Sequence, residues 1–212
     1  METPTLPLSQ PCDSANRVNR GQRRGPKPPL KPREIWAIRI RLQLAGDTRG
    51  LALFNLALDS KLRGCDLVRF TVRDVAPNGR VLRRTAIVQQ KTGQPVSFEL
   101  TEPTRVAVQT WIDHAALPDG GCLFPSRLHA SAHLSTRQYA RIVKDWVAAI
   151  GLDPAEYGTH SLRRTKATLI YRKTKNLRAV QLLLGHTKLE STVRYLGVEV
   201  DDALEISEKT EI

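Results

Sequence analysis

A histidine and an arginine three positions apart, His160 and Arg163, are the first residues whose types and spacing suit chemistry. Near the start of a helix this spacing places both side chains on one face, about 5–6 Å apart. An imidazole titrates near neutral pH and can move a proton, and a guanidinium presents a planar fork of donors that fits a phosphate. The pair could bind a phosphate and transfer a proton beside it. The alternative is a helix-cap or core histidine next to an unrelated arginine.

A second group follows in the C-terminal part of the chain, where Gly185-His186 precedes Thr192 and Tyr195. A tyrosine hydroxyl acts as a nucleophile when cations surround the group that it attacks. The segment 161–178 supplies such cations, with seven basic residues and no acidic one. The alternatives are that Tyr195 only packs against its neighbours and that the basic segment is a solvated helix face or a non-catalytic DNA-contacting surface.

The elements that must position these residues are predicted to be mostly helical, with a small antiparallel sheet inserted in the first half of the chain. Apolar spacing and capping residues predict helices over 34–44, 47–58, 102–115, 135–150, 160–173, 177–184, 189–195 and 198–207, and a short one after Arg63. Alternating stretches predict three strands over 70–75, 81–88 and 95–100. Asn78-Gly79 would turn the first hairpin, and Lys91 to Gly93 the second. The predicted class is mainly α with a three-stranded antiparallel sheet.

The charge balance indicates a polyanionic partner. Lysine and arginine number 33 against 21 acidic residues, which leaves a net charge of +12 across 212 residues. An excess of this size favours nucleic acid first and an acidic membrane surface second. Three widely spaced cysteines without a Cys-x-x-Cys pair do not predict a zinc site. No apolar stretch approaches the roughly 18 residues that span a bilayer. We therefore expect a cytoplasmic protein without a membrane partner.

Both ends of the chain differ from its middle. Residues 1–33 hold seven of the 13 prolines and seven basic residues against two acids, which predicts a flexible basic arm. Residues 198–212 hold six acids and one lysine. This acidic segment could dock onto a neighbouring protomer or fold back onto its own core. The segment 34–197 between them is predicted to be the catalytic domain.

Six chemically suited positions occur in an order that resembles the catalytic domain of the tyrosine recombinase, or phage integrase-like, family. They are Arg63 with Asp66 three residues later, Lys91 in a predicted turn, His160-x-x-Arg163, Leu184-Gly185-His186 and Thr192-x-x-Tyr195. The resemblance extends over about residues 34–207. It implies a site-specific DNA recombinase that cuts and rejoins double-stranded DNA for integration, excision or inversion.

The resemblance also implies a role for each residue. Tyr195 would attack a DNA phosphorus and form a 3′-phosphotyrosine with a free 5′-hydroxyl, while Arg63 and Arg163 would hold the non-bridging oxygens. Lys91 would protonate the leaving 5′-oxygen and His160 would accept the tyrosine proton. His186 would hydrogen-bond the phosphate. No cofactor and no metal are expected for this reaction, and Asp66 is expected to be structural.

Further expectations concern DNA contacts and assembly. The residues expected to bind DNA are Arg164, Lys166, Arg172, Lys173 and Lys175. Many family members carry a second histidine where this chain has Arg164, and we expect that change to adjust packing or phosphate contact. The family also implies a homo-tetramer on paired DNA sites, with accessory DNA-bending proteins as candidate partners and the bacterial nucleoid as the location.

These residues agree with three different functions. The first is site-specific DNA recombination: only about 33 residues precede the predicted catalytic part, a layout similar to the short fimbrial-switch invertases. A type IB topoisomerase-like enzyme would use a similar site to relax DNA without pairing two sites. A DNA-binding regulator would bind without forming a covalent adduct. The target DNA sequence is not readable from this chain, because base recognition depends on a few side chains whose groove positions are not known.

Overall fold

The computed structural model describes residues 26–127, 131–197 and 207–208. The helices, which carry most of this part of the chain, are α1 Pro32–Leu44, α2 Thr48–Ser60, α3 Gly64–Leu67, α4 Val72–Val75, α5 Glu102–His114, α6 Thr136–Ala149, α7 Thr159–Thr174, α8 Leu177–Leu184 and α9 Leu189–Leu196. The strands are β1 Arg84–Val88 and β2 Pro95–Glu99. The predicted helix over 198–207 lies outside the described residues apart from Ser207.

Helix α2 is the centre of the main core. Its residues are apolar around most of the helix, as expected for a helix buried on all sides, and it packs against α1, α5 and α7. Leu53, Phe54 and Leu56 are fully buried. Phe54 meets Trp146 of α6 edge to face, with ring centroids 5.4 Å apart. This core fixes the N-terminal half of α7, which carries His160 and Arg163.

Several helices begin at capping residues that the sequence predicts. Asp47 accepts a hydrogen bond from the Gly50 amide over 2.8 Å at the start of α2. Ser135 accepts from the Gln138 amide at the start of α6, over 3.1 Å. These side-chain acceptors satisfy amides that have no partner within the first turn. The predicted starts of α2 and α6 are therefore confirmed.

The predicted sheet has one strand too many. The two observed strands pair antiparallel, from Arg84 opposite Glu99 to Val88 opposite Pro95. In the predicted strand over 70–75, Thr71 forms an isolated bridge with Cys122 and α4 begins at the next residue. The Asp74 carboxylate accepts from the amide and the hydroxyl of Thr71, over 2.7 and 2.8 Å. This local cap stabilises a helical turn, so Asn78-Gly79 connects α4 to β1 instead of joining two strands.

The chain packs onto the domain earlier than the predicted boundary at residue 33. Leu30 is only 2% exposed, and its amide donates to Thr165 Oγ1 of α7 over 2.9 Å. The Lys27 carbonyl accepts from Arg164 Nη1 over 3.1 Å, and the Lys27 ammonium donates to the Ala155 carbonyl. We call residues 26–31 the N-terminal segment. Its one buried apolar side chain and its paired backbone groups hold it on α7; residues 1–25 of the predicted arm lie outside the described residues.

A second, smaller apolar cluster joins α7, α8 and α9. Its buried members are Ala167 and Tyr171 of α7 with Val180 and Leu184 of α8. Tyr195 and Leu196 of α9 pack against it and are only partly buried. Helix α9 has eight residues, of which only Thr192 is buried. The element that carries the predicted nucleophile is therefore held by far less apolar contact than α2.

Candidate active site

Arg163 lies at the centre of the group that the sequence singles out. It is a buried arginine, 2% exposed, and its Nη2 donates to the Leu184 carbonyl at the end of α8 over 2.9 Å. The same nitrogen lies 3.5 Å from His186 Nε2. Its other terminal nitrogen, Nη1, is buried without a hydrogen-bond partner among the described residues. A buried cationic donor without a partner is costly, which favours an anion as its ligand.

His186 reaches this position because α8 ends sharply. Gly185 closes the helix at φ +64°, and a Cβ there would lie 2.4 Å from Val96 Cγ2, so both the backbone and the space favour glycine. His186 Nδ1 lies 3.0 Å from Thr192 Oγ1 of α9. Burial, and then the charges of Arg163 and Arg63, lower the pKa of His186 to about 4. The imidazole is therefore neutral at pH 7 and can donate one hydrogen bond or accept one at Nε2.

Tyr195 stands against His186 and two arginines. The two rings meet edge to face with centroids 5.4 Å apart. The guanidinium carbons of Arg164 and Arg163 lie 4.5 and 5.8 Å from the centre of the tyrosine ring. The hydroxyl oxygen is buried and has no hydrogen-bond partner among the described residues. Burial raises the pKa of Tyr195, and the charges of Arg163 and Arg164 oppose that rise.

Arg63 joins the group through a residue that the sequence analysis missed. It precedes α3, and its Nη1 donates to Gln89 Oε1. Gln89 is fully buried, and its Nε2 donates to the same Leu184 carbonyl that accepts from Arg163, over 3.2 Å. Gln89 thus bridges the two arginines. In the sequence, Gln89 is marked only by its position between a predicted strand and a predicted turn. Its neighbour Gln90 has a similar position, so the sequence does not single out Gln89.

Lys91 and His160 flank the arginines on an open side. Lys91 lies in the turn between β1 and β2, as predicted, and is exposed. It lines a cavity of about 310 Å³ together with Arg63, Gly64, Cys65, Thr136, Tyr139, Thr159 and His160. Partial shielding from water, and then the charges of Arg163, Arg164, Arg63 and Lys91, lower the pKa of His160. The lowered pKa favours a neutral imidazole that can accept a proton.

Asp66 supports this arrangement from behind. It is buried, and its Oδ1 accepts from the Gln90 amide over 3.0 Å. This bond fixes the start of the turn that carries Lys91. The side chain of Asp66 thus contacts the turn that carries Lys91, and its expected structural role beside Arg63 stays a prediction.

Lys166, which the sequence analysis expects at the DNA surface, points into the domain. Its ammonium lies 2.7 Å from Asp59 Oδ1 and 2.7 Å from Glu99 Oε1. Burial lowers the pKa of Lys166, but the two carboxylates outweigh burial and raise it. The fully buried Lys61 lies 3.3 Å from Glu99, so α2, β2 and α7 share one ion-pair network. Lys166 is corrected here from a predicted DNA contact to a member of this network.

The other predicted DNA contacts lie in two places. Arg164 faces the Tyr195 ring and the N-terminal segment. Arg172 and Lys173 are exposed in the last turn of α7. Lys175 follows that helix in the left-handed conformation, φ 52°, with its ammonium 5.7 Å from the centre of the Tyr171 ring. The C-terminal end of α7 therefore presents a cationic surface.

The family model of the phage integrase family matches residues 33–201. The chain belongs to the phage integrase family. It is 28% identical to the probable integrase/recombinase YoeC of Bacillus subtilis over 153 residues, which cover 72% of this chain and 80% of that protein. It is 30% identical to the tyrosine recombinase XerC of Erythrobacter litoralis over 151 residues, covering 71% of this chain and 47% of XerC. This phage integrase family chain thus spans about half the length of its XerC relative.

Solved structures of the phage integrase family share the fold. The XerA recombinase superposes with a TM-score of 0.72 at 19% identity, covering 89% of this chain and 68% of that one. The Tn1549 transposon integrase superposes with a TM-score of 0.68 at 17% identity, covering 87% and 66%. The predicted mainly helical recombinase catalytic-domain fold is therefore confirmed, with a sheet of two strands.

Within residues 26–127, 131–197 and 207–208, no group of three or more histidines, cysteines or acids is arranged to hold a metal ion. None of the helices in that part of the chain is both long and apolar enough to cross a membrane.

Proposed function

We propose that this chain is a site-specific recombinase that cuts and rejoins double-stranded DNA through a 3′-phosphotyrosine at Tyr195. The observation that carries the proposal is the convergence of Arg163, His186 and Tyr195, with Arg163 Nη1 and the tyrosine hydroxyl both buried and without partners among the described residues. A phosphate oxygen satisfies the arginine nitrogen, and its phosphorus is the electrophile for the hydroxyl.

The reaction forms one phosphate ester bond for each one that it breaks, so it needs no external energy source. The Tyr195 oxygen attacks phosphorus and a new tyrosyl ester forms, while the bond from phosphorus to the 5′-oxygen breaks. His160 takes the tyrosine proton, and Lys91 gives a proton to the leaving 5′-oxygen. Arg63 and Arg163 stabilise charge on the non-bridging oxygens, where it grows in the transition state. Attack by a 5′-hydroxyl on the tyrosyl ester reverses these steps and rejoins the strand.

The relatives support DNA as the substrate. They are integrases and recombinases, and the solved neighbours include a Tn1549 integrase in complex with transposon end DNA and the XerH recombinase bound to its difH substrate. By analogy we propose a homo-tetramer on two paired sites, aided by accessory DNA-bending proteins. The acidic segment 198–212, described only at 207–208, would dock onto a neighbouring protomer within that assembly.

Covalent capture tests the proposal. The protein is mixed with fragmented host DNA, the reaction is stopped with detergent, and protein-linked fragments are sequenced. We expect adducts at a few sites, none with Tyr195→Phe, and a full yield with the control Tyr157→Phe, which lies outside the site. Adducts scattered over all fragments would favour the topoisomerase-like reaction. Intact binding without any adduct would favour the DNA-binding regulator.

A further inference from the structure

Arg164 contacts both the N-terminal segment and Tyr195, and the proposed reaction gives this link no role. Its guanidinium carbon lies 4.5 Å from the centre of the Tyr195 ring, nearer than that of Arg163. Its Nη1 donates to the Lys27 carbonyl over 3.1 Å. The guanidinium is therefore placed between the N-terminal segment and the proposed nucleophile.

The contacts of the N-terminal segment fix the far side of this connection. Leu30 is buried and its amide donates to Thr165 Oγ1, one residue after Arg164. Thr165 Oγ1 in turn donates to the Ser161 carbonyl of α7 over 2.7 Å. Arg164 and Thr165, adjacent in α7, thus each hydrogen-bond one backbone group of the segment. These groups are the Lys27 carbonyl and the Leu30 amide. The Lys27 carbonyl is held where it can orient the guanidinium.

Within the part of the chain that the structure describes, the charge of Arg164 has no acidic partner. Among the described residues no carboxylate lies within 4.0 Å of its guanidinium, whereas Lys61 and Lys166 are each paired. A cation over an aromatic face is attracted to the ring, and more strongly when water is excluded. The charge of Arg164 is therefore directed at Tyr195.

We propose that Arg164 is a positioning residue that ties the N-terminal segment to the ring of Tyr195 and holds the ring beside Arg163 and His186. The proposal deepens the proposed function and rests on it for its catalytic consequence. Arg164 acts through the tyrosine and not as a direct contact to DNA. The N-terminal segment is then part of the active-site support, although it precedes the predicted catalytic domain.

The first test does not depend on catalysis. Tyrosines of the full chain are isotopically labelled at Cζ, and the Tyr195 signal among the four tyrosines is identified with Tyr195→Phe and titrated by NMR. Among the described residues, the charged or titratable groups facing Tyr195 are Arg163 and Arg164 of α7 and His186 after α8. We expect Arg164→Gln to raise the pKa of Tyr195, because a nearby positive charge that lowers it is removed, and Arg164→Lys to raise it less. The control Arg141→Gln, on the exposed face of α6, leaves it unchanged. An unchanged titration in Arg164→Gln overturns the proposal.

The second test asks whether the N-terminal segment matters. Leu30→Ala loosens the segment without touching Arg164 or Tyr195, and Leu44→Ala, 84% exposed at the end of α1, is the control. We expect Leu30→Ala to move the Tyr195 signal in the same direction as Arg164→Gln, and the double variant to exceed Arg164→Gln by little, because coupled sites are not additive. A Tyr195 signal indifferent to Leu30→Ala overturns the role of the segment.

The third test separates positioning from DNA contact. On fragments captured by the unmodified protein, we expect Arg164→Gln to slow adduct formation about tenfold with the Kd for the same fragments unchanged, and Arg164→Lys to restore part of the rate. Weaker binding at an unchanged rate would make Arg164 a DNA contact and overturn the proposal. If the unmodified protein forms no adduct, the proposed function fails while the titration still decides the link between Arg164 and Tyr195.

Discussion

The main core around α2 and the small cluster of α7, α8 and α9 hold the two halves of the candidate site in different ways. Phe54 and Leu56 of α2 are buried on all sides, and the ion pairs of Lys61 and Lys166 connect that region to β2 and α7. In the small cluster four side chains are buried, and α9 contributes Thr192 as its only buried residue. The cationic half of the site is therefore rigidly built, whereas the proposed nucleophile stands on a helix with a single buried residue.

This difference suits a reaction in two transfers. The arginines must be in place before charge develops on the phosphate, because reorganisation at that moment would raise the barrier. The tyrosine must approach the phosphorus, carry the DNA strand and then release it. Elements that move in function come from the least stable part of a fold. The polar contact of His186 with Thr192 then guides α9 without locking it.

The largest expected effect is on the main core. Phe54→Ala removes a fully buried ring that packs on Trp146, and substitutions of this kind cost about 3–5 kcal/mol. Denaturant unfolding should show this loss for the whole domain. The exposed control Val106→Ala should stay within about 0.5 kcal/mol of the parent. A loss confined to α8 and α9 would contradict the division into two regions.

The next effect is on the chemistry held by the rigid half. Arg163→Ala should slow adduct formation by roughly 10²–10³, the cost of removing one comparable donor to the transition state. Single-turnover capture on the identified fragments measures it, with Arg141→Ala as the control. A rate close to that of the parent would show that the buried arginine serves only to cap the Leu184 carbonyl.

A smaller effect tests the support of the nucleophile. Leu184→Ala empties the middle of the small cluster, and because this cluster has four buried members that can close around the void, the cost should be at the low end for such a change, about 2 kcal/mol. Amide hydrogen exchange should rise in α8 and α9 and stay near the parent value in α2. Equal acceleration in all three helices would show that the cluster and the main core unfold as one unit.

The smallest expected effect concerns the contact between His186 and Thr192. Thr192→Val keeps the shape of the buried side chain and removes the hydroxyl that faces Nδ1, a change worth about 1 kcal/mol. The adduct rate should fall about five- to tenfold at that cost, while DNA binding stays constant. Thr187→Val, an exposed threonine in the loop between α8 and α9, is the control. An unchanged rate would mean that Arg163 alone orients the imidazole.

Local patterns predicted most of the helices and the order of the site residues. Caps such as Asp47 and Ser135 act within one helical turn. Gly185 ends α8 because a left-handed residue is needed there. The starts and ends of these helices therefore depend on residues that are close in the sequence. The placement of Lys91 in a turn also follows from local chemistry. The segment 70–75 was ambiguous for the same reason: Phe70, Val72 and Val75 fit a strand or a short helix, and the cap between Thr71 and Asp74 favoured the helix.

The sequence by itself predicted which residues would take part in DNA chemistry, in which order they occur, and on which helices and turns they lie. Only the tertiary structure decided where the long basic side chains of α7 point. Arg163, Arg164 and Lys166 lie within four residues of one another, yet one caps a carbonyl of α8, one covers the ring of Tyr195 and one pairs with Asp59 and Glu99. Their partners are distant in the chain, and a buried charge goes where a distant partner offsets its lost hydration.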